Sequence, residues 1–387
     1  MIILKNATVL TMERPAFVGD VAIDGEKIVQ VGENLSFQDA EIIDMTGKYV
    51  MPGIIDAHSH IGMFEDGMGF EGSDGNEITS PTTPELRAID AINPFDRCFK
   101  EAVAGGVTTA VTGPGSANVI GGTFVALKLH GKSVEDMILK YPVAMKAAFG
   151  ENPKRCYGKS GKTPMTRMAI AGTLRTALSA AVEYDKKLRL TNDDDKLPER
   201  DLKKEALLPV IRREMPLKIH AHRADDILTA IRIAKEFDIM FTLDHCTEGY
   251  MIKDILKDTI AETGCGVIVG PLLSDRSKIE LRNLTFEAPR KLYEAGIEFA
   301  MMTDHPVIPQ QYLPVCAAIA VREGLPEEVA LKCITINAAK IAGIDDRVGS
   351  LEPGKDADIA IFSGHPLDVR SRCQMTLVSG KIVHSEL

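Results

Sequence analysis

The stretch Gly53-Ile54-Ile55-Asp56-Ala57-His58-Ser59-His60 decides how the rest of this 387-residue chain is interpreted. An apolar run ends in two histidines, His58 and His60, two positions apart. In a β-strand such positions share one face, so both imidazole rings can reach the same point. Because neutral imidazole is the commonest metal ligand, the pair predicts half of a metal site. The alternative is a strand end that carries two solvated histidines.

Three other segments, 217–222, 241–245 and 299–305, also finish in potential ligands. Barrel enzymes place their chemistry at the C-terminal ends of strands, so these side chains are expected to converge with the first pair. A single one of these histidines is better explained as a buried residue with its hydrogen bonds satisfied. The set as a whole predicts a metal site. Its members are His58, His60, His220, His222, His245, Asp304 and His305.

Both ends of the chain are rich in strand-forming residues. Residues 2–10, 18–23, 27–31 and 42–50 are separated by turn signals, and residues 357–362 and 375–383 look similar. Neither end has enough strands to close a core alone, so residues 1–50 and 348–387 are expected to form one β-sandwich domain.

The middle of the chain, residues 51–347, alternates strands with helices, as βα units do. Helices are predicted at 173–184, 224–237, 289–295 and 326–342, and strands at 108–112, 143–149, 217–222, 240–245, 267–270 and 298–303. Gly121-Gly122 is expected in a turn. The charged stretch 185–205 is expected to be a solvated insertion. These elements predict an α/β fold, and the length of the chain suits a βα barrel with an accessory domain.

Composition narrows the class of protein. The chain is 45% hydrophobic without a run of 18 apolar residues, and its seven cysteines include no CxxC pair. It also starts without the features of a signal peptide. We therefore expect a soluble, cytoplasmic protein. A small-molecule substrate and a homo-oligomeric assembly are further expectations. The net charge of -10 argues against nucleic acid and membrane as partners.

Five spaced segments resemble the amidohydrolase superfamily, and are most similar to its imidazolonepropionase-like and prolidase-like members. They are 50–60 (VMPGIIDAHSH), 218–226 (KIHAHRADD), 243–248 (LDHCTE), 301–306 (MMTDHP) and 348–362 (VGSLEPGKDADIAIF). The resemblance implies a (β/α)8 barrel with a small β-sandwich from both termini. It also implies one or two divalent metal ions, with Zn²⁺ expected, that activate water against an amide or a related carbon.

The resemblance also assigns roles, residue by residue. His58 and His60 match ligands on the first barrel strand, His220 a ligand on the fifth and His245 a ligand on the sixth. Asp304 matches the carboxylate of the eighth strand. As a carboxylate, Asp304 can accept the proton of the attacking water and return it to the leaving nitrogen, and is the predicted catalytic residue. Its alternative role is a simple ligand or a helix cap.

Three further residues are candidates for contact with the substrate. His222 shares a strand face with His220 and could bind metal or hydrogen-bond the substrate. Related deaminases often carry an acid near this position, so the histidine disfavours deamination of a heterocycle, which is the alternative activity. Arg223 and His305 could meet the substrate or instead support neighbouring groups.

Outside the enzymes, the alternative is a non-catalytic barrel protein with a binding or assembly role. The intact set of predicted metal ligands argues against this alternative.

The bridge of a two-metal centre has two candidates. In this superfamily the bridging anion is usually a carboxylated lysine or a glutamate. Lys146 lies inside an apolar strand, where a cationic amine would be costly, and carbon dioxide would convert it into an anion. Glu151 follows the same strand and needs no modification. We favour Lys146 and keep Glu151 as the alternative.

Overall fold

The computed structural model describes residues 1–190 and 197–387 of the chain. The strands are β1 (Ile2–Val9), β2 (Phe17–Asp24), β3 (Lys27–Gly32), β4 (Glu41–Asp44), β5 (Tyr49–Pro52), β6 (Ile54–Ser59), β7 (Val107–Thr112), β8 (Ile120–Lys128), β9 (Ile138–Ala148), β10 (Leu217–Ala221), β11 (Phe241–His245), β12 (Gly266–Val269), β13 (Ala300–Met301), β14 (Ile359–Phe362), β15 (Cys373–Val378) and β16 (Lys381–Ser385). The helices are α1 (Arg97–Ala104), α2 (Val134–Met137), α3 (Glu151–Gly158), α4 (Arg167–Leu190), α5 (Leu202–Ile211), α6 (Ala224–Glu236), α7 (Lys253–Thr263), α8 (Ala288–Glu294), α9 (Leu313–Arg322), α10 (Glu327–Cys333) and α11 (Ile336–Ala342). The fold is α/β, with a (β/α)8-type barrel and a second sheet from the termini.

Strands from both chain ends share one sheet. Its order is β16-β15-β14-β5-β1-β2-β3, and β4 pairs with β1 on the side of this path. The two ends meet where β5 pairs antiparallel with β14, with Val50 opposite Ile361. Apolar residues from both ends form a common core beneath it. The expectation that the termini associate is confirmed at the level of strand pairing, whereas the domain boundaries at 50 and 348 stay a prediction.

The second sheet is the barrel, in the order β13-β12-β11-β10-β9-β8-β7-β6. Its strands are parallel except β8, which runs antiparallel to both β7 and β9. The expectation of a turn at Gly121-Gly122 is wrong, because both glycines lie inside β8. A Cβ on Gly122 would stand 2.2 Å from the carbonyl oxygen of Leu86, so this glycine permits close backbone approach rather than a turn.

The barrel closes between its first and last strands. The backbone N–H of Asp304 donates to the carbonyl of His58 (3.2 Å), and that of His60 donates to the carbonyl of His305 (2.9 Å). Below these contacts the hydroxyl of Thr303 donates to Asp56. The two ends of the predicted ligand set are therefore neighbours across this seam.

A buried ionic cluster joins the barrel to the terminal sheet. Lys128, at the end of β8, donates to Asp356 (2.7 Å) and Asp358 (3.0 Å), just ahead of β14. Asp356 also accepts from Arg347 (2.6 Å) and Lys27 (2.7 Å). Both carboxylates come from segment 348–362, so this segment holds the terminal sheet against the barrel.

Several element bounds differ from the sequence prediction for local reasons. The segment 42–50 is two strands, because Gly47 adopts a φ of +78° between β4 and β5. The helix predicted at 326–342 is divided into α10 and α11 at Thr335, whose φ of -141° is not helical. The helix predicted at 173–184 continues through α4 into the charged stretch, of which residues 191–196 lie outside the described residues. Among the described helices, none combines the length and the hydropathy needed to cross a bilayer.

Candidate metal centre

Side chains from three strand ends meet at the C-terminal mouth of the barrel. Nε2 of His60 lies 3.2 Å from Oδ1 of Asp304, and Nε2 of His58 lies 3.5 Å from the same oxygen. His58, His245 and Asp304 each offer a ligand atom within 4.8 Å of the others. They lie at or just after the ends of the first, sixth and eighth strands in the barrel order, the strands to which the resemblance assigned them.

Acceptors on the far side of each ring orient three of the histidines. Nδ1 of His58 lies 2.7 Å from the carboxylate of Asp244, and Nδ1 of His60 lies 2.6 Å from the carbonyl of Gly113. Nδ1 of His245 lies 3.0 Å from the carbonyl of Gly270. An acceptor at Nδ1 places the ring proton there and leaves a lone pair on Nε2, which is how metal-binding histidines are usually held.

The fifth strand supplies a second pair of rings. Nδ1 of His220 lies 2.6 Å from Nε2 of His245, and Nδ1 of His222 lies 2.8 Å from the hydroxyl of Thr247. His220, His222 and His245 form a second group whose ligand atoms lie within 4.8 Å of one another. His245 belongs to both groups, so the two potential metal positions are adjacent.

Burial keeps these rings neutral. It lowers the pKa of His58, His220 and His245 well below the ordinary histidine value, and the neighbouring rings and lysines lower it further. Burial and then Lys278 lower the pKa of His222 to about 3. Neutral rings retain the lone pair that coordination requires.

Lys146 extends from β9 into the first group. Its side chain is fully buried, and Nζ lies 3.3 Å from Nε2 of His58. The ring of Phe124 lies 5.4 Å from Nζ and forms the floor beneath both. Burial lowers the pKa of Lys146 to about 8, although Asp244 and Asp304 oppose this shift.

Glu151, the alternative bridge, has different surroundings from those of Lys146. It is the first residue of α3, after Gly150 with its φ of +84°, and its side chain is half-buried. Its backbone N–H donates to Glu280 (2.8 Å). Among the described residues, neither potential metal-binding group includes Glu151. The structure therefore brings Lys146, and not Glu151, into contact with a predicted ligand.

The three candidates for substrate contact occupy different surroundings. His222 lies within the second group described above. Arg223 pairs with Asp225 through two hydrogen bonds of 2.9 Å and is only half-buried. His305 is buried beside the first group, and its Nδ1 has no hydrogen-bond partner among the described residues. Burial lowers the pKa of His305 to about 4.

Four residues that the sequence interpretation missed support the site. Asp244 joins His58 to Lys218, whose Nζ lies 3.3 Å from the carboxylate. Each is a charged residue inside an apolar strand, and such residues are buried only with a partner, so a signal was present. Asn152 lies 3.4 Å from Nε2 of His220, and Glu280 lies 4.0 Å from the same atom. Both come from outside the strands, where no periodicity marks them.

The donor set fits a divalent metal ion. Neutral imidazole nitrogens and a carboxylate are the ligands that zinc and similar ions prefer. The backbone is also strained where the ligands lie, because Asp304 and His245 adopt φ values of +55° and +69°. Such conformations cluster at functional sites in proteins. The arrangement can thus hold a metal ion at the open end of a barrel.

A model of the amidohydrolase family matches residues 49–383. The chain belongs to the amidohydrolase family. Hydrolases of this family act on carbon–nitrogen bonds. The crystal structure of an amidohydrolase from Thermotoga maritima is 48% identical, with a TM-score of 0.96 over 100% of both chains.

Two sequence relatives extend the comparison. Amidohydrolase tasK of Hapsidospora irregularis is 29% identical over 91% of this chain, which spans 38% of the relative's length. An imidazolonepropionase of Fusobacterium nucleatum subsp. nucleatum is 24% identical over 89% of this chain and 84% of its own length. The predicted membership of the amidohydrolase superfamily is confirmed.

Proposed function

We propose that this amidohydrolase uses a metal-activated water to hydrolyse the C–N bond of an amide, a cyclic amide or a small peptide. One observation carries the proposal: His58, His60, His245 and Asp304 converge with oriented rings at the mouth of the barrel. A barrel with a binding role alone has no need for such a set. Zinc as the metal, a cytoplasmic location and a homo-oligomeric assembly stay predictions.

Each ligand would have a defined task. His58, His60 and Asp304 would hold one ion, and His220 with His245 a second. A divalent ion bound there lowers the pKa of a water molecule to about 7 and polarises the scissile carbonyl. The rings of His58 and His245 keep their lone pairs at neutral pH, because burial holds the pKa of both side chains well below that pH.

Asp304 would transfer the proton of the attacking water to the leaving nitrogen. It belongs to the same cluster as both first-strand histidines, and its side chain is 16% exposed while His58 is fully buried. A carboxylate in that position can accept the proton of the attacking water and deliver it to the leaving nitrogen. The leaving group then departs as a neutral amine.

Lys146 would supply the anion between the two positions. Addition of carbon dioxide to the neutral amine forms an N-carboxylate and releases one proton, which replaces a costly buried cation by an anion. Nζ is close to His58, and the ring of Phe124 closes the space below it. Glu151 stays the alternative for this role.

The substrate contacts stay part of the proposal. His222 and His305 are buried beside the two groups and would bind polar atoms of the substrate. Arg223 is engaged with Asp225 and would need to exchange this partner. The carbon–nitrogen bond can belong to an acyclic or a cyclic amide.

Metal analysis combined with product analysis tests the proposal. Purified protein should contain about one to two equivalents of divalent metal. A chelator should abolish turnover, and zinc should restore it. Across a panel of small peptides, cyclic amides and amino-substituted heterocycles, we expect new carboxylate and amine. Release of ammonia from heterocycles would favour deamination, and a protein without bound metal would refute the metal-dependent mechanism.

A further inference from the structure

Two lysines lie side by side in the interior of the barrel. Lys146 of β9 and Lys218 of β10 are partners in the parallel ladder, and both are buried. Nζ of Lys146 lies 5.4 Å from the centre of the Phe124 ring, and Nζ of Lys218 lies 5.6 Å from it. Two neighbouring cations inside a protein are unfavourable, so each amine needs its own compensation. The proposed function gives Lys146 an N-carboxylate, whereas Lys218 meets the carboxylate of another residue.

Lys218 reaches across the barrel from its fifth strand to its first. Its Nζ donates to the carbonyl of Ala57 (3.1 Å), the residue before His58 in β6. The same nitrogen forms an ion pair with Asp244 of β11 and lies 3.3 Å from both of its carboxylate oxygens. Among the described residues, Lys218 is the only lysine or arginine that pairs with Asp244. One cation thus contacts the strand that carries His58 and the carboxylate that faces its ring.

The two oxygens of Asp244 have different hydrogen-bond partners. Oδ2 lies 2.7 Å from Nδ1 of His58. Oδ1 accepts from the hydroxyl of Thr242 (3.0 Å) and from an N–H of Lys218 (3.3 Å). Asp244 is fully buried, and a carboxylate in such a place requires a counter-charge and hydrogen bonds to its oxygens. Lys218 and Thr242 therefore determine which oxygen is left for the histidine ring.

We propose that Lys218 is a positioning residue of the metal centre, which acts on His58 through Asp244. By donating to Oδ1 it directs Oδ2 to the Nδ1–H of the ring, so the lone pair on Nε2 stays available to the metal. The inference rests on the metal centre of the proposed function. Carboxylates that hold the outer N–H of a metal-binding histidine orient the ring and make it a better ligand, and Lys218 orients that carboxylate.

The substitution Asp244→Asn changes the group that His58 meets. An amide has one oxygen, and the donors Lys218 and Thr242 both require it at the position of Oδ1. The NH₂ group then takes the position of Oδ2 and donates to Nδ1 of His58. A donor there moves the ring proton to Nε2, where it blocks coordination.

Removal of Lys218 from this variant should reverse the effect. Methionine has a long side chain without charge or N–H groups, and the hydroxyl of Thr242 can accept as well as donate. In Lys218→Met/Asp244→Asn the amide can therefore rotate and turn its oxygen towards Nδ1 of His58. The double variant also leaves no buried charge without its partner, because both members of the ion pair are replaced.

The experiment measures two properties of the wild type, Lys218→Met, Asp244→Asn and the double variant, after thermal unfolding has verified their folding. The first is the dissociation constant for zinc, measured by competition with a chelator. The second is the protonated ring nitrogen of His58, measured by ¹⁵N NMR of histidine-labelled, metal-free protein, with the signal assigned from its loss in His58→Gln.

The expected results differ in sign between the two backgrounds. Asp244→Asn should weaken zinc binding by about 10- to 100-fold and carry the proton of His58 on Nε2. The double variant should regain most of this loss, with the proton on Nδ1. Lys218→Met in the wild-type background should instead weaken zinc binding by about 10-fold, because Asp244 loses the donor that fixes it.

Lys128→Met is the matched control. Lys128 is also a buried lysine paired with carboxylates, but it ends β8 beside the terminal sheet. Its replacement should lower the stability without changing the affinity for zinc or the protonated nitrogen of His58.

The comparison of Asp244→Asn with the double variant decides the outcome, and it holds even where Lys218→Met alone fails to fold. If Lys218 only stabilised the barrel, the double variant would bind zinc no better than Asp244→Asn, and the proposal would be overturned. A proton that stays on Nε2 of His58 in the double variant would overturn it as well. A wild type that binds no divalent metal would refute the proposed function and this inference with it, which the wild-type measurement alone reveals.

Discussion

Asp304 combines a strained backbone with a central place in the site. Its φ of +55° costs about 1–3 kcal/mol, and its carboxylate lies 3.2 Å from His60. We predict that Asp304→Asn lowers turnover by about 100- to 10,000-fold, because an amide cannot carry the water proton. Asparagine tolerates positive φ, so the melting temperature should stay close to that of the wild type. Turnover near the wild-type rate would contradict the assigned role.

The two candidates for the bridging anion, Lys146 and Glu151, can be distinguished by the metal content of their alanine variants. Lys146→Ala should lose bound metal and activity, because it removes the proposed anion beside His58. Glu151→Ala should keep both, and so serves as the matched control. Metal analysis of the two variants checks this, with bicarbonate or short carboxylic acids added to rescue the lysine variant. Retention of two metal ions by Lys146→Ala, together with their loss from Glu151→Ala, would identify the glutamate as the bridge.

At the scale of residues, the sequence predicted the groups that follow an apolar run. His58, His60, His245 and Asp304 were recognisable because a barrel collects strand ends, which makes positions distant in sequence neighbours. Their chemical roles stay predictions. Glu280 was not recognisable, because its position depends on how a loop crosses the barrel mouth, and no residue period encodes that path.

At the scale of elements, the strands and helices of the barrel were largely predictable, and the direction of one strand was not. The period of apolar residues marks a strand but carries no information on whether it runs parallel to its neighbours. Between Thr112 and Ile120 the chain stays at the mouth of the barrel, so β8 begins there and runs back antiparallel to β7. Gly122 in β8 approaches Leu86 too closely for any side chain. Two glycines therefore suggested a turn where the sheet continues.

The ionic cluster between β8 and segment 348–362 should make the stability of the protein depend on pH. Burial by itself raises the pKa of Asp356, but hydrogen bonds from Arg347, Lys128 and Lys27 outweigh it and hold that pKa well below its ordinary value. We predict that Asp356→Asn lowers the free energy of unfolding by about 1.5–3 kcal/mol at neutral pH, because the buried Lys128 keeps only Asp358 as its carboxylate partner and the half-exposed Lys27 and Arg347 lose theirs.

The sign of the pH dependence follows from the lowered pKa. Below about pH 4 the unfolded chain takes up a proton at Asp356 before the folded protein does, so acid removes the stability that this carboxylate contributes. The difference in stability between the wild type and Asp356→Asn should shrink as the pH falls through this range. Denaturant unfolding at several pH values measures it, with the exposed Asp275→Asn as control. A difference that stays constant down to pH 3 would contradict the assignment.

At the scale of the whole molecule, the two chain ends depend on each other. The two chain ends are joined where β5 pairs with β14, and the backbone of residues 26–28 is also hydrogen-bonded to that of residues 354–357. The core of this sheet takes residues from both ends. The sequence predicted this association from the number of strands at each end. The sequence could not predict that Lys128 of the barrel reaches the same segment, because ion pairs at such separations leave no local pattern.

Deletion of residues 348–387 tests this dependence. The truncated chain loses β14, β15 and β16, which exposes the edge of β5 and the apolar face shared by Leu4, Val9 and Val50. An unpaired edge over exposed apolar surface favours association between chains, so we predict aggregation and loss of cooperative unfolding. Size-exclusion chromatography and thermal unfolding measure both. Removal of Glu386 and Leu387 alone, which follow β16, is the control and should have little effect. A soluble truncation of 348–387 that unfolds cooperatively would show that the N-terminal strands form a stable unit without their partners.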